Sequence, residues 1–269
     1  MAQISRILPA RGTAVRDPKV RGYSALQYEW ARRDLEIFQG ALSLAGKVVL
    51  DAGCGPGGKT VFFADCGPTE IVGVDASASS IDAARKYVEA RGTKNVRFEV
   101  SGIEALPFED ERFDLVLMTD VLEHVARPLL DQVLDSVRRV LKPNGELALY
   151  FPPWTSFDAS HLYNEVYLPW CHLFFDDETL LSAVEKLHRG DATSFARVRA
   201  HYLALNRLTI EQFDRLISER GFVPRYYRHK MIKDLPIPRS LPFEPLLTKR
   251  VVAILKKVEG PAPPLEAQP

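Results

Sequence analysis

The chain has 269 residues, of which 46% are hydrophobic and 26% charged, so it is long enough to bury one sizeable core and to carry an appendage. Lysine plus arginine number 35, and so do aspartate plus glutamate, so the net charge favours neither a nucleic acid nor an anionic membrane as partner. Three cysteines at irregular spacing are typical neither of a disulfide framework nor of a thiolate metal site, and they favour a reducing cytoplasm.

Residues 1–22 contain scattered arginines and prolines without a long apolar run, which predicts a flexible arm with no signal peptide and no membrane span. Short apolar runs then alternate with helix-length amphipathic stretches. Helical spacing of apolar residues over 25–42 predicts a first helix that ends near Gly46. The pattern then predicts strands at 48–50, 71–74, 96–100, 113–119 and 146–151. Helices are predicted between them at 58–66, 79–91 and 126–141. This alternation indicates a Rossmann-like, doubly wound α/β fold with a mostly parallel sheet.

The pattern changes after Phe151, where a segment rich in aromatics and histidine begins. We expect a helix after the capping pair Asp176 and Asp177, and another from Thr209 to Gly221. Two late strands are predicted, at about 222–232 and 249–255. The predicted organisation is one domain at 23–258, with a core at 45–151, an insertion or lid at 152–206, sheet completion at 207–258 and a disordered proline-rich tail at 259–269.

A glycine loop follows the first predicted strand in the run VVLDAGCGPGG, with Gly53 and Gly55 in the turn that opens a helix. Glycine lets a ligand approach the backbone closely, but the bare spacing also satisfies the dinucleotide-binding pattern. Asp51 is the discriminating residue, since its carboxylate repels a pyrophosphate and suits a ligand with an ammonium group. Asp75, at the end of the second strand, either accepts both ribose hydroxyls or caps the helix that begins near Ser77.

Four motifs in order, DAGCGPG, VGVDAS, LPFEDERFDLVLMTDVLEHV and LKPNGEL, resemble the class I S-adenosylmethionine-dependent methyltransferases, especially the small-molecule methyltransferase type 11 group. The resemblance covers residues 45–151. It implies a seven-stranded sheet whose last strand is antiparallel, which the two late strands would complete, with an insertion after the fifth strand. It also implies S-adenosylmethionine as the cofactor.

Carried over by position, the resemblance places Asp51, Gly53 and Gly55 around the methionine end of the cofactor, and Asp75 and Ala76 beside its ribose and adenine. Thr119 and Asp120, at the end of the fourth strand, line the floor of the site.

The family usually has an aspartate, which binds the adenine amino group, at the place of Gly102. That carboxylate is missing here. Ile103 is still expected to cover the ring face, and base selectivity then depends on main-chain groups or on Glu104.

Methyl transfer from a sulfonium needs positioning and only optionally a base. The resemblance makes His124, in DVLEHV, the first candidate for a general base, and the alternative is that His124 only packs or caps the following loop. His161, Glu165 and His172 of the insertion are residue types that can ligate a metal, but their spacing matches no recurrent motif, so no metal site is expected.

The predicted function is methyl transfer to a small-molecule or sugar- or lipid-linked acceptor, with oxygen as the preferred atom. Two alternatives remain open: a nicotinamide-dependent oxidoreductase that uses the same glycine loop, and a non-catalytic scaffold that only binds the cofactor. The sequence does not identify the acceptor, because one cofactor-binding fold serves many reactions. It does not determine the oligomeric state either.

Overall fold

The computed structural model describes residues 22–232 and 244–258. The arm predicted at 1–22, apart from Gly22, and the tail predicted at 259–269 lie outside the described residues. Seven strands form one sheet in the order β3-β2-β1-β4-β5-β7-β6. The strands are β1 Val48–Ala52, β2 Glu70–Asp75, β3 Val96–Val100, β4 Phe113–Thr119, β5 Leu141–Phe151, β6 Phe222–Met231 and β7 Thr248–Lys257.

Strands β1 to β5 are mutually parallel, whereas β7 runs antiparallel to both of its neighbours, β5 and β6. The predicted fold class is therefore confirmed, including the antiparallel last strand. The order turns back at β1, since β2 lies on one side of it and β4 on the other. Ligands of open α/β sheets bind at such a reversal, outside the carboxyl ends of the strands.

The helices lie between the strands and in the insertion after β5. They are α1 Tyr23–Glu36, α2 Gly58–Ala64, α3 Ala78–Arg91, α4 Leu130–Val140, α5 Tyr163–Val166, α6 Cys171–Phe174, α7 Asp177–Leu187, α8 Ala192–Ala204, α9 Ile210–Glu219 and α10 Glu244–Leu247. None of the helices in the described ranges is both long and apolar enough to cross a membrane.

The sheet is covered on both faces because neighbouring residues of a strand point to opposite sides. In β1, Val49 packs in a cluster with α1, α2 and α3, whereas Leu50 packs in a second cluster with α4 and α9. This explains why the central strands are continuously apolar rather than alternating.

Two predicted helix boundaries are wrong. The first helix ends at Glu36 instead of continuing to about residue 42, because Gln39 and Gly40 both adopt positive φ and break the helical path. Phe38 and Leu42 are nevertheless buried, which is why the apolar pattern continued. The helix predicted at 126–141 begins as a 3-10 turn at Arg127–Leu129 and becomes α-helical only from Leu130.

The insertion has a small apolar core of its own. It is formed mainly by Leu162, Cys171, Leu180, Val184, Tyr202 and Leu205. The predicted cap Asp176 accepts a hydrogen bond from the Thr179 N–H at 2.7 Å, and Thr209 caps α9 with Gln212 in a reciprocal capping box. The insertion is thus a folded unit beside the carboxyl edge of the sheet.

Candidate functional site

A cleft of about 390 Å³ opens at the carboxyl ends of β1 and β4. Its lining residues come from α1, from β1 and β4 with the segments that follow them, from α2, from the insertion and from β7. They are Tyr23, Gln27, Trp30, Asp51, Gly53, Cys54, Gly55, Lys59, Thr119, Asp120, Glu123, His124, His161, His201 and Arg250. Six of the predicted site residues share this cleft, namely Asp51, Gly53, Gly55, Thr119, Asp120 and His124. The volume falls within the range of small-molecule sites.

The glycine loop, residues 53–58, turns sharply between β1 and α2. Gly53 has φ +80°, and a Cβ on it would lie 2.7 Å from the Val121 side chain, so neither its conformation nor its surroundings admit another residue easily. The Gly53 and Cys54 N–H groups both donate to the Val74 carbonyl, at 2.8 and 2.9 Å. The backbone itself therefore forms this wall of the cleft.

Asp51 lies beneath the loop and is almost fully buried. Its carboxylate accepts a hydrogen bond from the Thr60 hydroxyl at 2.6 Å. Burial raises its pKa to about 6, partly offset by the Thr60 hydrogen bond and by the charge of Lys59. A cationic ligand group in the cleft would stabilise the ionised form of this carboxylate.

Asp75 reaches the loop from the end of β2. One carboxylate oxygen accepts from the Gly55 N–H and the other from the Ser77 N–H, both at 2.9 Å. The cap of α3 is Ser77, whose hydroxyl accepts from the Ser80 N–H. Asp75 thus braces the glycine loop, and the adjacent Ala76 is exposed.

Gly102 and Ile103 follow β3 and do not line the cleft, and neither do Asp75 and Ala76. The Ser101 N–H donates to the Asp75 carbonyl at 3.0 Å, which holds the end of β3 beside the end of β2. A Cβ at Gly102 would lie 2.2 Å from Glu104 Oε1. The Glu104 carboxylate therefore occupies the space that a side chain at 102 would need.

Charged side chains gather around Asp120, which has a positive φ of 55° directly after β4. Lys59 Nζ lies 3.7 Å from one oxygen of Asp120, and Arg250 Nε lies 3.5 Å from the other. Arg250 also pairs with Asp158 of the insertion at 3.1 Å. This network ties β4, α2, β7 and the insertion together at the cleft.

Glu123 is the least expected group in the cleft. Its side chain is only 6% exposed, and neither carboxylate oxygen has a hydrogen-bond partner among the described residues. Burial and the nearby Asp120 raise its pKa well above the usual range. A buried carboxyl without a partner is costly and is typical of a functional site.

Three imidazoles, His124, His161 and His201, meet at the same end of the cleft, and we call them the histidine cluster. Their ring centroids are 4.9 to 5.2 Å apart, and His161 Nδ1 lies 2.7 Å from His201 Nε2. Burial, together with the neighbouring histidines, lowers the pKa of His124 and of His161 to about 4. Both rings are therefore neutral at pH 7.

The other candidate ligands of the insertion lie elsewhere. His172 contacts the Trp154 carbonyl at 2.7 Å, and Glu165 pairs with His188 at 2.8 Å. The set His161, Glu165 and His172 is not brought together, because each of the last two has its own structural partner.

Sequence reasoning missed Glu123, His201 and Arg250. Glu123 stands beside His124 in DVLEHV, so that motif carried a usable signal. His201 and Arg250 come from α8 and β7, far away in sequence, and no local motif marks either of them.

Comparison with protein families gives one match, a model described as a methyltransferase domain, over residues 49–145. Two curated relatives are both named ubiquinone biosynthesis O-methyltransferase. The one from Coxiella burnetii is 34% identical over 113 residues, 42% of this chain and 47% of the relative. The one from Nitrobacter winogradskyi is 33% identical over 172 residues, 63% of this chain and 60% of the relative. The chain thus spans about half the length of these relatives.

Among solved structures, an S-adenosylmethionine-dependent methyltransferase described as putative, from Listeria monocytogenes, superimposes with a TM-score of 0.57 at 19% identity. The match covers 85% of this chain and 98% of that protein, and it shows a shared fold. Together the matches confirm the predicted resemblance to the class I methyltransferases, whose cofactor is S-adenosylmethionine.

Proposed function

We propose that this chain, whose residues 49–145 match a methyltransferase domain, transfers a methyl group from S-adenosylmethionine to a hydroxyl oxygen of a small-molecule acceptor. The observation that carries the proposal is that the glycine loop and the histidine cluster line the same cleft. The printed names of the two curated relatives, both O-methyltransferases, favour oxygen over nitrogen or carbon.

The methionine part of the cofactor is proposed to lie against Asp51, Gly53, Gly55 and Thr119. The buried carboxylate of Asp51 would attract the ammonium group, and the glycines allow the backbone to contact the ligand. Thr119 would form the floor, since it is buried and lines the cleft.

The ribose and adenine are proposed to extend past Asp75 and Ala76 toward Gly102 and Ile103. Both Asp75 oxygens already accept one backbone hydrogen bond, but a carboxylate offers about four lone-pair sites, so both retain capacity for a ribose hydroxyl. Ile103 would cover the adenine, and Glu104, which takes the space beside Gly102, would face its amino group.

In the proposed reaction, a lone pair of the acceptor oxygen forms the new bond to the methyl carbon while the bond from that carbon to sulfur breaks. The electron pair stays on sulfur, which gives S-adenosylhomocysteine, and the hydroxyl proton leaves to solvent or to a nearby base. Holding the oxygen in line with the methyl group supplies much of the acceleration. His124, a neutral imidazole in the cleft, is proposed to accept a hydrogen bond or the proton from the acceptor hydroxyl.

The acceptor is proposed to be a free small molecule or a sugar- or lipid-linked one, since aromatic side chains with polar tips line the outer cleft at Tyr23 and Trp30. A cytoplasmic location also remains a proposal, favoured by three cysteines that are all free and buried.

The test is transfer of labelled methyl groups from S-adenosylmethionine to a panel of phenols, catechols, sugars, alkyl alcohols and amines. We expect label on an oxygen acceptor, and no label with Asp75→Ala at low cofactor concentration. Label confined to the amine nitrogens, or to ring carbons of the phenols and catechols, would overturn the choice of oxygen. Tight cofactor binding without transfer to any class would favour the non-catalytic scaffold.

A further inference from the structure

The six histidines of the chain fall into two groups. His172, His188 and His229 each contact a carbonyl or carboxylate oxygen: that of Trp154, Glu165 and Glu244, respectively. The histidine cluster is different, because the rings of His124, His161 and His201 contact one another. The cluster therefore brings the basic ring nitrogens of three neutral imidazoles together, and these rings contact one another where the other three histidines contact oxygen atoms.

The three rings come from separate parts of the fold. His124 ends the 3-10 turn Leu122–His124 after β4, His161 lies in the insertion before α5, and His201 lies near the end of α8. His161 has a φ of 58°, a left-handed conformation that is uncommon for residues other than glycine. From this backbone conformation, the His161 ring contacts the rings of His124 and His201.

The geometry of the cluster suits a metal ion. One ligand nitrogen from each ring lies within 4.8 Å of the other two. Zinc–nitrogen bonds of about 2.0–2.1 Å in tetrahedral geometry require ligand nitrogens roughly 3.3 Å apart. Small ring rotations reach this spacing, chiefly by separating His161 and His201, whose nitrogens are now 2.7 Å apart.

The surroundings supply a second, independent observation. The buried Glu123 carboxylate, which has no hydrogen-bond partner among the described residues, has Oε1 3.9 Å from His124 Nε2. The nearby cation Arg250 is already paired with Asp120 and Asp158. A divalent cation among the three rings would supply the positive charge that an isolated buried carboxylate lacks.

We propose that His124, His161 and His201 bind one divalent transition-metal ion of the zinc type, whose remaining coordination position faces the cleft and takes the acceptor oxygen. Three imidazoles favour zinc, iron, nickel or copper over magnesium or calcium, which prefer oxygen ligands. Three protein ligands with an open fourth position are the arrangement of catalytic zinc sites. The sequence expectation of no metal site did not include His201, which completes the set.

The part of this inference that concerns the acceptor rests on the proposed function, whereas metal binding itself does not. A coordinated His124 nitrogen cannot also accept a proton, so the metal would give His124 a role in holding the acceptor instead of acting as a base. All three rings line the cleft, so an ion and an acceptor have a route to them.

The experiment uses the full chain without a histidine tag, freed of metal by a chelator and dialysed against Co²⁺ or Zn²⁺. We expect about one metal ion per chain by elemental analysis, and visible absorption bands of nitrogen-ligated Co²⁺. His161→Ala and His201→Ala should each weaken binding at least about 100-fold, beyond the 10- to 100-fold range of changes to residues around a ligand. His188→Ala is the matched control, since it removes an imidazole of the insertion outside the cluster, and it should bind metal like the unchanged chain.

Each preparation is also titrated with S-adenosylhomocysteine, which shows that the variants are folded and tests the cofactor site separately. Loss of metal with cofactor affinity retained supports the site. Failure of the unchanged chain to bind metal, or metal binding by both cluster variants as tight as that of the unchanged chain, would overturn it even if cofactor binding is normal. Azide added to the Co²⁺ form should shift its absorption bands, and an unchanged spectrum would contradict an open position that faces the cleft.

Discussion

Two parts of the cleft are built in different ways: the glycine loop, which we call the first end, and the histidine cluster, which we call the second end. The glycine loop comes from one continuous stretch, and its wall is formed by backbone groups that donate to Val74 and Asp75. The histidine cluster is assembled from side chains of three segments that are distant in sequence, beside Arg250 from β7. Backbone geometry fixes the first end, so it changes little without a change of fold. Side-chain identity fixes the second end, so in the proposed function the acceptor chemistry could change while the fold stays the same.

The largest expected effect comes from a substitution in the second end, the histidine cluster, alone. His124→Ala should lower turnover about 100-fold or more, because it removes the group that is proposed to act on the acceptor proton or oxygen. Affinity for S-adenosylhomocysteine should stay within about threefold, since the glycine loop is untouched. Steady-state kinetics beside calorimetric titration measure the two quantities.

His188→Ala is the control for this variant, since its ring pairs with Glu165 away from the cleft. Turnover of His124→Ala equal to that of the unchanged chain at every pH would remove His124 from the reaction.

A substitution in the first end, the glycine loop, should instead weaken cofactor binding. Gly53→Ala places a Cβ 2.7 Å from Val121 at a φ of +80°, strain on the order of 1–3 kcal/mol that shifts the loop. We expect cofactor affinity to fall about 10- to 100-fold in calorimetric titration.

Gly92→Ala is the matched control for backbone strain. Gly92 has a φ of +70° at the end of α3, with open space around it. It should lose stability without losing cofactor affinity. Equal cofactor affinities for the two variants would mean that the glycine loop does not contact the ligand.

The smallest effect is a pH dependence that belongs to the first end. In the proposed cofactor site, the ammonium group of the ligand would favour ionised Asp51, whose pKa of about 6 lies above its usual value. Below pH 6 the Asp51 carboxyl is mostly protonated and must lose its proton before the ligand binds. The affinity for the cofactor ligand should therefore be about tenfold weaker at pH 5 than at pH 7. Asp51→Asn should bind more weakly at both values, with little difference between them. A tenfold difference that persists in Asp51→Asn would assign the effect to another group.

The strands and the glycine loop of the first end were predictable because their signals are local. Strands 96–100 and 113–119 match their predicted bounds, and the loop residues Asp51, Gly53 and Gly55 lie together at the cleft. Periodicity and turn chemistry act over a few residues, and both are visible in the sequence. The first helix was predicted too long because Phe38 and Leu42 stay buried beyond its end, and periodicity does not distinguish a helix from a packed turn.

The second end was only partly predictable. His124 was found through a motif, but its neighbours His161 and His201 meet only because the insertion folds around its own core. The charge network of Asp120, Lys59 and Arg250 joins three separate elements. Such contacts depend on tertiary packing, which has no signature at any one position of the sequence.

The central claim, that this frame binds S-adenosylmethionine, is tested most directly by calorimetric titration with S-adenosylhomocysteine, run beside NADH and the Asp75→Ala variant. Asp75→Ala removes the brace of Gly55 and the proposed ribose acceptor, whose charge-assisted hydrogen bonds are worth about 1.5–3 kcal/mol each. We predict micromolar binding of S-adenosylhomocysteine alone, weakened at least tenfold in the variant. Binding of NADH without S-adenosylhomocysteine, or an affinity unchanged by Asp75→Ala, would contradict the account.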